Sequence, residues 1–285
     1  MACNTTGYTG QNYCEKTSRF GRPTGIAFAV DGQSFSEADF LLEDSFINAV
    51  KSQQIFPVMS MKGFEDQSTD PTYHEYDNED RDLVDQGKYR FAASFSKNEC
   101  AKKQLLNFRG FSQGFYLIYG NVIRGRTVDG GSTIEPIRIT QTNVEKASLP
   151  TMTEKEMINV VIDLVSEKDL NEYDYSREME WDVTDLDGLT EVTLSVVSAS
   201  ATSIVVDVAT DCGGNTKPIS GLGTEATDWE VETGTISTVE ESSSILGRYT
   251  ISGTGMDGTI DLADPSGRSD DVLVISAGAI TLDID

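Results

Sequence analysis

A mainly β chain arranged as two domains is what the 285 residues predict, on three observations. Apolar and small or polar residues alternate with period two, as at Tyr89, Phe91, Ala93 and Phe95, which is the spacing of a strand with one buried face. Helical spacing is confined to two short stretches. From about Asp185 onward no helical period occurs, and short apolar runs are separated by Gly-, Asp-, Asn- and Ser-rich turns.

Taken in order, residues 1–22 are polar and Gly-rich with the basic cluster Lys16, Arg19 and Arg22, so an arm is expected there. Thr24–Val30 reads as a short apolar strand closed by the turn signal Asp31-Gly32. Ala38, Leu41, Leu42, Phe46, Ala49 and Val50 recur at steps of three and four, predicting one helical face from about Ser36 to Gln53, capped by Ser34 with Glu37 or by Ser36. Ile55–Phe64 returns to strand, with Pro57 marking an edge or bulge.

Acidic residues then recur every few positions from Glu65 to Asp85, with Pro71 and hardly any aliphatic side chain. That stretch cannot be core, and a solvated loop over 65–87 is expected. At about twenty residues it exceeds the usual connection inside a compact domain, and such loops are usually functional or disordered. Because it carries Tyr73, Tyr76 and Leu83, it reads as an arm that orders on a partner. Its candidate contact residues are Asp66, Asp70, Tyr73 and Tyr76 on the way out. On the return they are Asp80, Arg81, Leu83 and Asp85.

After the strand ending at Phe95, Ser96 and Glu99 have capping-box spacing, with Ala101, Leu105 and Phe108 as an apolar stripe and Gly110 as a stop. Phe115–Tyr119 and Val122–Thr127 read as a hairpin around Gly120-Asn121. Ile134–Val144 alternates, and Met157–Val165 is the longest apolar strand of this half, expected to be central. These elements form an expected domain over 23–185. Beyond it, seven short strands are read at Val192–Val197, Ile204–Ala209, Trp229–Val231, Tyr249–Ile251, Thr259–Leu262, Val272–Ile275 and Ile280–Ile284. That spacing is the pattern of an immunoglobulin-like sandwich over 189–285.

The net charge of −25 argues against gripping nucleic acid or an anionic membrane, because binding phosphates takes Lys and Arg that displace counterions. It suits a surface that DNA slides past. Cys3, Cys14, Cys100 and Cys212 show no metal-site spacing. The N-terminus has no apolar signal core and no run approaches the roughly 18 apolar residues of a membrane span, so folding in a reducing cytosol is expected. His74 is the only histidine, no phosphate-binding glycine motif occurs, and no frame through Asp77 or Asp80 makes a complete EF-hand. No catalytic, cofactor or metal-ligating residue is expected. What remains is assembly through arms and sheet edges, or else a monomer with a solvated loop.

The order strand, acidic arm, strand, capped helix, hairpin, carried by Glu75–Phe108 and by GFYLIYGNVIRGRT at Gly114–Thr127, resembles the tail tube (major tail) proteins of long-tailed bacteriophages. The acidic 189–285 segment is similar to the immunoglobulin-like domains that many tail and capsid proteins carry. The resemblance implies a tail-tube-like β-sandwich or barrel with two short helices, assembled in the host cytoplasm into stacked six-membered rings of the virion tail. It implies self and other tail proteins as partners, a long loop reaching the next ring, and DNA passing without specific binding. The length and the extended N-terminus depart from the simplest tube proteins, so neck, baseplate and capsid-decoration roles stay open, and a surface-adhesion module is a further alternative.

Overall fold

The computed structural model describes residues 21–76, 81–85, 87–96, 105–130, 132–145, 157–166, 168–212 and 215–284. The protein is mainly β. It forms two compact units, one of residues 1–46 with 54–187 and one of residues 47–53 with 188–285. Residues 1–20 of the expected arm, Asp80, and most of the second expected helix with its Glu99 lie outside the described residues.

In the first unit β1 (Gly25–Ala29), β3 (Ile55–Val58), β4 (Met61–Asp66), β7 (Arg90–Ser96), β8 (Gly114–Tyr119), β9 (Val122–Arg126), β11 (Ile137–Val144), β12 (Met157–Leu164) and β13 (Asp174–Glu178) are joined by antiparallel ladders. Their order is β13-β9-β8-β11-β12-β7-β4, with β1 also on β8 and β3 beyond β1. Short β2 (Phe35–Ser36) and β10 (Thr133–Ile134) pair separately. β11 is the corner: Ile137 and Arg138 pair with β8, and from Ile139 it pairs with β12, with a bulge between Ile139 and Gln141 just after the change of partner. A strand that changes partner next to a bulge turns one layer onto another.

The alternation in β7 and β12 sends Phe91, Ala93, Phe95, Ile158, Val160 and Ile162 into one core with Phe28, Leu105, Phe108 and Leu117. β12 lies between β11 and β7, and β3, with Pro57, pairs only with β1. The Gly120-Asn121 hairpin has the expected register, Tyr119 opposite Val122, with Gly120 at φ 57°. β1 and β8 are buried on both faces, because Phe35, Phe40 and Phe46 pack around Tyr116 on the side away from the main core.

Those three rings correct the reading of one continuous helix. The segment is α1 (Glu37–Phe40) and α2 (Glu43–Lys51), interrupted at Leu41 and Leu42, which are exposed rather than core-facing. Ser36 does cap, its Oγ accepting from Asp39 N at 3.1 Å. The chain breaks because Phe40 and Phe46, six positions apart, both reach Tyr116 only if the helix is reset between them.

α3 (Lys168–Asn171) carries a fully buried carboxylate. Asp169 Oδ2 accepts from Arg138 N and Nε at 3.1 and 3.0 Å, and Oδ1 from Arg138 Nη2 at 2.8 Å. Arg126 Nη1 stands 3.5 Å away and also pairs with Glu135. Burial of an ionised group is sustained only by such saturation.

The second unit differs from the strand list read above. β14 (Thr190–Ser200), β15 (Ser203–Cys212), β16 (Asn215–Pro218), β17 (Trp229–Glu241), β18 (Arg248–Leu262), β19 (Val274–Ser276) and β20 (Ile280–Thr281) make one connected sheet. Two expected strands, Tyr249–Ile251 and Thr259–Leu262, are one strand, β18. The intervening SGTGMDG reads as a turn, yet Gly255 and Gly258 at φ 62° and 88° let bulges form while the ladder with β17 continues. β18 pairs with β15 near its start and with β20 near its end.

Tyr249 anchors this unit's core. Its hydroxyl donates to Ile219 O and accepts from Leu222 N, both at 3.1 Å. Burial pushes its pKa up to about 12, above the usual value near 10. The neutral form is thus the one folding favours, so the stability it contributes is complete below pH ~10 and is lost as pH rises toward ~12. Tyr249→Phe is expected to cost about 1 kcal/mol at pH 8 and to flatten the alkaline loss. Trp229, whose ring centroid is 5.4 Å from that of Tyr249, reports it by urea melts from pH 8 to 11 in a Trp181→Phe background. An unchanged alkaline slope would assign the loss elsewhere.

Candidate functional site: an exposed acidic ribbon and the groove at its base

The acidic stretch is not an irregular loop. The β4–β7 ladder runs to Asp66 opposite Phe91, continues through Gln67 N to Arg90 O at 2.8 Å and Thr69 N to Lys88 O at 2.9 Å, and resumes as β5 (Thr72–Glu75) against β6 (Arg81–Asp85). The expected loop is therefore a β ribbon. Its charges masked the pattern, but Thr72, Tyr73, Leu83 and Val84 favour extended backbone and a ribbon leaves every charge in water. Pro71 sits between the two ladders, where no strand hydrogen bond is required. Gly87 is at φ 75°, and a Cβ there would lie 2.1 Å from Thr69 O, so only glycine lets the two chains approach.

The ribbon sorts the candidate residues. Tyr73 and Leu83 are directly paired and share one face. Further out, Tyr76 Oη donates to Asp82 Oδ2 at 2.9 Å, and the His74 ring stands edge-on to Tyr76 with centroids 4.6 Å apart. Arg81 pairs with Glu75 and Asp85 with Thr72 through the backbone. Asp66 is exposed and turns the chain through Ser68 N, at 2.9 Å from its Oδ1. Asp70 is exposed and belongs to neither cluster. Tyr73, Tyr76, Leu83 and Val84 are 57, 47, 48 and 68 % exposed, four large side chains that one short ribbon holds out to solvent.

At the ribbon's base is a groove of about 650 Å³. Pro71, Tyr73, Leu83, Lys88 and Tyr89 line one side, and Gln141, Asp163, Leu164, Val165 and Lys168 the other. Asp163 is fixed by Arg90, whose Nε and Nη2 reach its two oxygens at 2.6 and 3.0 Å, and by Gln141 Nε2 at 3.2 Å. The Arg90 bonds hold its carboxyl below the usual carboxylate range. Lys168 Nζ is 3.9 Å from Glu172 with both side chains more than half exposed, a weak contact that leaves the ammonium available at the rim. Sequence reasoning missed Lys88, Asp163 and Lys168 as site residues. The period-2 pattern gives the face of Asp163 in β12, but only the β7–β12 register places it opposite Arg90.

Among the described residues no group of three or more His, Cys, Asp or Glu side chains is gathered to hold a metal ion, and no helix is long and apolar enough to cross a membrane. No protein-family model matches the chain, and no curated protein matches it.

Proposed function

We propose that this is a self-assembling structural subunit, and specifically a subunit of a bacteriophage tail tube: stacked six-membered rings enclosing a conduit for DNA, built in the host cytoplasm and carried in the virion. The observation that carries the reading is the ribbon. Its described strands are paired over Thr72–Glu75 and Arg81–Asp85, which fixes their shape, yet they present Tyr73, Tyr76, Leu83 and Val84 to solvent. A shaped surface with exposed aromatic anchors is what a protein–protein contact requires. The resemblance of Glu75–Phe108 and Gly114–Thr127 to tail tube proteins supports the finer reading. The charge of −25 supports a lumen that repels phosphates. The C-terminal unit is assigned to the exterior, with no part in catalysis or DNA binding.

Negative-stain electron microscopy across protein concentration, with light scattering for mass, tests this. Rings or hollow tubes with six-fold end views are expected. A uniform monomer or trimer at all concentrations would reject the tube in favour of a decoration role.

A further inference from the structure

The two ends of the ribbon differ in chemistry, and the difference is complementary. The outer end presents Glu75, Tyr76 and Asp82, all exposed. The groove at the base is lined by Lys88 and Lys168 together with Tyr73, Leu164 and Val165. In a chain with 22 basic residues against 47 acidic ones, two lysines at one apolar cleft mark a preferred seat for an acidic, aromatic segment. We propose that the outer end of the ribbon of a second copy of this chain docks in this groove. The proposal rests on the self-assembly reading above and names the surface through which copies join.

The occupant must come from another copy. Tyr73 already lines the groove, and Tyr76 lies three residues further along an extended strand, roughly 10 Å away at ~3.3 Å per residue. The antiparallel ladder from Thr72 to Asp85 keeps the ribbon from folding back on its own base. A cleft of about 650 Å³ is the size of a drug-scale binding site and accommodates several side chains. The Tyr76 ring would supply the buried anchor, while Glu75 and Asp82 meet Lys88 and Lys168. Asp163 opposes this little, because Arg90 and Gln141 hydrogen-bond it and Lys88 acts on it more weakly than they do. A contact joining a protrusion on one copy to a cleft on the next is heterologous, so it repeats instead of closing a two-fold dimer.

Charge exchange tests it. The Lys88→Glu/Lys168→Glu double variant and the Glu75→Lys/Asp82→Lys double variant are each expected to need at least tenfold more protein to associate than wild type, measured by sedimentation velocity. Mixed one to one, they are expected to regain association, since each then offers the charge that the other's surface lacks. Circular dichroism melts confirm that both are folded, and the rescue itself requires folded protein. A groove variant that associates like wild type, or a mixture no better than its components, overturns the docking while leaving self-assembly standing. A wild-type protein that never associates overturns both.

Discussion

Replacing residues 70–87 by Asn-Gly, so that Thr69 turns directly to its partner Lys88, is expected to abolish self-association and to leave the melting temperature within about 3 °C of wild type. The second half of that outcome follows from packing. None of the described side chains removed belongs to the buried core of the first unit, although Tyr89 just beyond packs against it. Surface changes of that kind stay within about 0.5 kcal/mol. The first half follows from anchors. Losing two aromatic or aliphatic contacts of about 2 kcal/mol each raises the concentration needed for association on the order of a thousandfold. Sedimentation and microscopy at matched concentrations decide it. Tubes growing from the shortened protein would show that the ribbon is a passenger, and attention would turn to the free sides of β4 and β13, which end the main strand order.

Asp169→Ala is expected to have the largest effect on folding. The carboxylate is fully buried between Arg138 and Arg126. Removing it leaves the Arg126 guanidinium, 12 % exposed, with Glu135 as its ion-pair partner among the described residues, while Arg138, 43 % exposed, can turn to water. Breaking a buried pair from one side costs about 3–5 kcal/mol, which for a unit of this size lowers the melting temperature by on the order of 10 °C. Asp169→Asn keeps an acceptor and is expected to fall between the two. Differential scanning calorimetry resolves the first unit's transition, and a shift below about 3 °C would mean that water or the neighbouring arginines relax enough to replace the bond. The same residue fixes α3, so the position of Lys168 at the groove rim depends on a charge that never meets solvent.

Much of the fold was legible because one-sided burial writes itself as alternation. Phe91, Ala93 and Phe95, and Ile158, Val160 and Ile162, are buried as their spacing requires, and the mainly β class follows from such runs. The failures have specific causes. At Leu41 and Leu42 the helical spacing continues in sequence, but packing of Phe40 and Phe46 around Tyr116 overrides it. In β18 the glycines that mark a turn elsewhere form bulges inside a long ladder. In the ribbon, charge density hid a strand pattern only two apolar residues deep on each side. Of the candidate site, Tyr73, Tyr76 and Leu83 were visible as misplaced apolar side chains in an acidic stretch. The groove was not, because its far side comes from β11, β12 and α3, and no local signal couples Lys88 to Lys168.

The sheet order also sets a schedule. β1 forms its ladders with β3, which follows soon after it, and with β8, which is synthesised only after the whole ribbon. The ribbon closes through near neighbours, on the microsecond scale of a hairpin, whereas the pairing of Ile26 with Leu117 waits for loop closure over a long stretch of chain. A nascent chain thus samples the ribbon's pairing before its main core closes, although a two-stranded ribbon alone is only marginally stable. Premature contact between copies at that stage would trap incomplete subunits. On the docking proposed above, the ribbon's negative charge would hold such chains apart until β12 and α3 complete the far side of the groove.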